Sequence, residues 1–76
     1  MATPKGVFAG NELRDLRESL GLEQLEVAKA WGRPQPNLSE IETNRRRVSP
    51  RMKRLLIAVL NHLAAEKALE GEQDHG

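Results

Sequence analysis

The chain has 76 residues, no cysteine and a formal net charge of +1. That is room for one small domain, with no disulfide framework, no cysteine-ligated zinc and no deep catalytic cleft with a scaffold around it. A reducing, cytoplasmic setting is the default for such a chain, and no apolar run approaches the ~20 residues of a membrane span.

The net charge hides a strong internal division. Residues 33–54 hold seven basic side chains against two acidic ones, whereas residues 55–76 hold Lys67 against Glu66, Glu70, Glu72 and Asp74. A basic block can be no more than a solvated surface. Inside an otherwise acidic chain it is also what a phosphate-facing surface requires.

Residues 1–10 contain two glycines, a proline and no period, and read as a loose arm, with Phe8 covering the end of the core. Asn11 is placed to cap a first helix, in which Leu13, Leu16 and Leu20 form one apolar face that stops at Gly21. A second, short helix fits residues 24–31, with Val27, Ala28 and Trp31 on one side and Gly32 as terminator. The third lies near 36–43 and turns Leu38 and Ile41 inward. Arg33-Pro34-Gln35-Pro36 precedes it, and the restriction on residues before proline predicts Gln35 as cap and Pro36 as first helical residue. Asn44 suits the left-handed conformation that ends a helix.

Ser49-Pro50 opens the last helix, Ser as cap and Pro in the first turn. Met52, Leu55, Leu56, Val59, Leu60 and Leu63 keep a helical period to Gly71, about 21 residues or ~30 Å. No segment has strand periodicity. The fold expectation is an all-α bundle of four, possibly five, helices with a long C-terminal helix. Its divisions are an arm over 1–10, a domain over 11–70 and a disordered acidic tail over 71–76.

Two short helices joined by a tight turn place one helix in the DNA major groove while the other braces it. The arrangement needs a small residue at the helix crossing, a permissive turn and apolar anchors. Ala28, Gly32, Leu38 and Ile41 supply these at the required spacing. The wider stretch Leu13-Arg14-x-Leu16-Arg17-x3-Gly21-Leu22-x-Gln24-x-Glu26-Val27-Ala28-x3-Gly32, continuing to Leu38-Ser39-x-Ile41-Glu42, resembles the Xre/Cro/phage-repressor (lambda-repressor-like) helix-turn-helix family over roughly residues 11–60.

That resemblance implies a dimeric transcriptional repressor acting on a short palindromic operator. It implies phosphate contacts from Gln24 at the start of the supporting helix and from Arg45, Arg46 and Arg47 after the recognition helix; Arg33 joins them as a basic residue beside the motif. It implies base reading by Gln35, Asn37 and Glu40, and a structural ion pair between Arg17 and Glu42. Two prolines stand where the family usually has a Ser or Thr cap, and they remove two amides from the set of possible phosphate donors. A carboxylate at Glu40 can accept from the amino group of cytosine, or can pair with an arginine and present it to guanine.

Leu60, Leu63, Ala64 and Leu69 exceed what so small a core needs and are expected at a two-fold dimer contact. Trp31 is expected in the core. His62 and His75 have no partner at ligand spacing, so no metal site is expected, nor any cofactor or small-molecule ligand. With no nucleophile–base set visible, an enzyme is the least favoured class. The alternative to a DNA-binding regulator is an antitoxin or other interaction module gripping a protein partner through its C-terminal helix.

Overall fold

A computed structural model describes residues 6–73, with side chains to Glu70. Four helices follow one another: α1 (Gly10–Ser19), α2 (Gln24–Trp31), α3 (Gln35–Glu42) and α4 (Pro50–Gln73). α1 and α2 each pack on both α3 and α4. The core between them is Leu13, Leu22, Val27, Ala28, Leu38, Ile41, Leu56 and Leu60, closed at one end by Ala9 and Val48. Among the described residues the only extended pairing is a single antiparallel bridge between Val7 and Val48.

That bridge corrects the expectation of a loose arm. Val7 and Val48 exchange both backbone hydrogen bonds, at 2.8 and 2.9 Å, so the chain is tied to the domain from there on. Residues 1–5 lie outside the described part. Phe8 is not a lid on the core: it is 53% exposed, with its ring under the Arg47 guanidinium at 4.9 Å from the centroid.

The start of α1 also differs from expectation. Asn11 does not cap it; the helix begins at Gly10, behind Ala9. The Gly10 amide instead donates to Oδ1 of Asn44 at 3.0 Å. Asn44 does take the left-handed conformation, at φ 61°, and so ends α3 while its side chain caps α1. A side chain at position 10 would run into the backbone carbonyls of Ile41 and Glu42. Glycine is therefore what lets α1 approach the end of α3 so closely.

α2 opens with the Glu23 amide donating to the Glu26 carboxylate at 2.9 Å and ends at Gly32, whose φ of 82° only glycine adopts without cost. α3 starts one residue earlier than the pre-proline rule predicts. Pro34, extended at φ −60° and ψ 144°, is the cap; Gln35 and Pro36 are the first two helical residues. Both positions precede the first amide that a helix can satisfy internally, so proline at the second costs no hydrogen bond. Asn37 closes the first turn by donating to the Pro34 carbonyl at 3.0 Å.

Ser49 caps α4, its Oγ accepting from the Met52 amide at 3.0 Å. α4 does not stop at Gly71 but continues to Gln73, so the expected tail is helical for its first three residues, and 74–76 lie outside the described part. Lys67 donates to the Gly21 carbonyl at 3.3 Å and to Glu26 at 3.2 Å. The far half of α4 is thereby held against the α1–α2 turn of its own chain.

Candidate nucleic-acid interface

The gap between α2 and α3 is only Gly32, Arg33 and Pro34. Gly32 donates to the Ala28 carbonyl at 2.9 Å and Arg33 to the same oxygen at 3.2 Å, which turns the chain sharply. Ala28, fully buried, lies at the packed contact between these helices. α3 is held down by Leu38 and Ile41, and its opposite side faces outward.

Beneath this turn runs a chain of polar contacts. Nε and Nη2 of Arg17 donate to the two oxygens of Glu42 at 2.8 and 3.0 Å, and its Nη1 donates to the Leu22 carbonyl at 2.8 Å. Glu42 is 3% exposed, the one buried charged residue among those described. The bond to Glu42 raises the Arg17 guanidinium above its ordinary pKa, against the opposing effect of burial. Gln24 Nε2 donates to Oε1 of the same carboxylate at 3.1 Å. Oε1 of Gln24 then accepts from Gln35 Nε2 at 3.1 Å. A buried ion pair thus orients Gln24, and Gln24 orients Gln35 at the start of α3.

One turn along α3, Glu40 accepts from Nε and Nη2 of Arg46 at 3.0 and 2.7 Å. The Glu40 backbone carbonyl also takes the amides of Arg45 and Arg46, at 2.8 and 3.2 Å, so the arginine loop folds back over the last turn of α3. Arg33 reaches over Trp31, 5.6 Å from the ring centroid. Trp31 packs against the core, as expected, but is only half-buried. Trp31, Arg33, Asn37, Arg46, Arg47 and Ser49 line one open cleft beside α3. Asn37 thus looks into a space ringed by cations, a setting that suits a phosphate or the edge of a base.

A family model described as a helix-turn-helix domain matches residues 9–70. The chain belongs to the helix-turn-helix domain family. No curated protein and no solved structure matches it. In helix-turn-helix terms α2 is the supporting helix and α3 the recognition helix. The structure brings Gln24 and Gln35 together and joins Glu40 to Arg46, while Asn37 and Arg33 share the cleft and Arg45 is exposed beside it.

It does not bring Leu60, Leu63, Ala64 and Leu69 onto one free surface. Leu60 is 2% exposed, inside the core of its own chain; Leu63 packs against that core and Ala64 is half-buried. Of the four, Leu69 alone faces solvent, and Leu60 is taken up by the core of its own chain. Sequence reasoning also missed the contacts of Asn44 with Gly10, of Phe8 with Arg47 and of Lys67 with Glu26. The Glu23–Glu26 spacing was a readable signal for the α2 cap; nothing local signals a contact between Gly10 and Asn44. No helix among the described residues is long and apolar enough to cross a membrane.

Proposed function

We propose that this chain is a sequence-specific, double-stranded-DNA-binding transcriptional regulator, a dimeric repressor of its own or a neighbouring operon acting on a palindromic operator. One observation carries the reading: the outward start of α3 presents Gln35, held by Gln24, and Asn37, which lines a cleft shared with Arg33, Arg46 and Arg47. Base-reading groups must be ordered before contact if they are to discriminate, and cations must flank them to hold the backbone.

In this reading Gln35, Asn37 and Glu40 face base edges, while Gln24, Arg33, Arg45 and Arg47 contact phosphates on either side. Arg46 has a mixed role. Its tie to Glu40 aims the guanidinium along the recognition helix, where the pair can meet guanine and cytosine together.

Selection of bound sequences from random DNA at fixed salt tests the proposal. A palindromic consensus is expected, with log affinity falling linearly with log salt. Glu40→Ala should relax the consensus at one position per half-site. Arg45→Ala should weaken all sequences alike and reduce the salt slope by about 1. No enriched sequence, or equal losses on operator and random DNA for both variants, would defeat it.

A further inference from the structure

The chain has one tryptophan, one phenylalanine and no tyrosine. Both rings lie beneath arginines, Trp31 under Arg33 at 5.6 Å from the centroid and Phe8 under Arg47 at 4.9 Å. Those two arginines line the same cleft, together with Asn37 and Ser49. The chain's one Phe and one Trp thus attend a single site.

Local backbone geometry makes each pair. Val7 and Val48 face each other across the antiparallel bridge, and that register sets Phe8 directly opposite Arg47, with both side chains on one face. Phe8 stays 53% exposed there, between the tied Val7 and a buried Ala9. On the other wall Gly32, at φ 82°, turns the chain at the end of α2. The Arg33 amide returns to the Ala28 carbonyl, which brings Arg33 back over Trp31, the last residue of that helix.

The other arginines show by contrast what a ring supplies. Arg17 and Arg46 are held by carboxylates, those of Glu42 and Glu40, so their charge is neutralised in place and N–H donors are engaged. Among the described residues no carboxylate pairs with Arg33 or Arg47. A ring attracts a guanidinium through its negative face. It restrains the side chain yet leaves the charge uncompensated and the N–H fork open to an incoming oxygen. Such a group has less freedom left to lose when an anion arrives.

We propose that Phe8 and Trp31 are positioning residues, holding Arg47 and Arg33 ready for DNA phosphate at this cleft. The proposal deepens the DNA-binding reading above and rests on it. Neither ring has to touch DNA to act.

Binding of a mixed-sequence DNA duplex by the full chain, at low and fixed salt, reads the effect. Phe8→Leu keeps an apolar side chain and removes the ring, so affinity should fall about 3-fold. Phe8→Tyr, which keeps a ring, should bind like the parent. The Phe8→Leu loss should vanish in an Arg47→Gln background and persist in an Arg45→Gln background, since neither ring lies under Arg45. Trp31→Leu and Trp31→Phe should divide in the same way, with Arg33→Gln as the background. Trp31 also packs against the core, so Trp31→Leu should melt lower; the cycle with Arg33→Gln, run well below that midpoint, isolates the ring. Without DNA, proton NMR reports the contact itself. The Phe8 ring should shift the Arg47 side-chain protons upfield, and Phe8→Leu should abolish that shift while leaving the one at Arg33.

A parent chain without the upfield shift at Arg47 overturns the proposal. So does a Phe8→Leu loss of equal size in the Arg47→Gln background, which demands a purely structural ring. Unchanged binding by both Phe8→Leu and Trp31→Leu, in a parent that does bind duplex, defeats this inference alone. A parent that binds no duplex defeats the DNA reading itself, and the positioning role falls with it.

Discussion

Removing the Glu42 carboxylate should cost this domain much of its stability. In Glu42→Ala the guanidinium of Arg17, with only 12% of its side chain exposed, loses both oxygens that neutralise it, and Gln24 loses an acceptor. Breaking a buried pair from one side costs about 3–5 kcal/mol. At ~0.05–0.15 kcal/mol per residue a chain this size holds roughly 4–11 kcal/mol in all. The midpoint of thermal unfolding should therefore fall by ~12 °C at least. Arg17→Met combined with Glu42→Leu should recover about 2 kcal/mol relative to Glu42→Ala, because no buried charge is left behind. It should not recover everything, since the Leu22 carbonyl and the Gln24 amide lose their partners. Urea unfolding, followed by circular dichroism and by the fluorescence of Trp31, measures each step. A Glu42→Ala variant within about 1 kcal/mol of the parent would refute the reasoning, as would a double variant no better than the single one.

Gly10→Ala should destabilise by about 2 kcal/mol, because its methyl group meets the Ile41 and Glu42 carbonyls and α1 must shift; an unchanged urea midpoint would show slack at that crossing. Pro36→Ser should alter stability by less than ~0.5 kcal/mol yet change DNA affinity more, since it restores an outward amide in the first turn of α3. A variant that melts far lower but binds normally would contradict this. The Glu26 carboxyl is held below its ordinary value of 4.5 by the Glu23 amide first and then by Lys67. A carboxyl lowered in the folded state stabilises above its ordinary pKa, and that contribution disappears as pH falls through the lowered value. The stability difference between the parent and Glu26→Gln should thus be present at neutral pH and vanish in acid. A difference independent of pH would remove Glu26 as its source.

The helices were legible because their apolar spacing is regular and their breakers stand at the ends: Gly32 closes α2, Asn44 closes α3 and Ser49 opens α4. What stayed hidden depends on long-range proximity. Asn44 could be read as a left-handed residue, but not as the cap of a helix 34 residues away. Periodicity marked Leu60 as apolar without saying whether its own core or a second chain would cover it. The proline rule placed Gln35 outside α3, because it describes a local preference that the first turn of a helix overrides. Charge marked the arginines, but not that Arg46 would fold onto Glu40 or Arg47 onto Phe8.

The three arginines between Asn44 and Val48 are stapled at both ends, by the Gly10–Asn44 bond on one side and the Val7–Val48 bridge on the other. A free loop of this composition would sample many shapes, and DNA would have to freeze them at about 1–2 kcal/mol of entropy per backbone residue. Here that loss falls on folding, before any DNA arrives. In the proposed DNA complex, binding then keeps more of the attraction between guanidinium and phosphate as affinity. Detaching Val7 would leave every arginine in place and still make the loop a slacker, weaker hand.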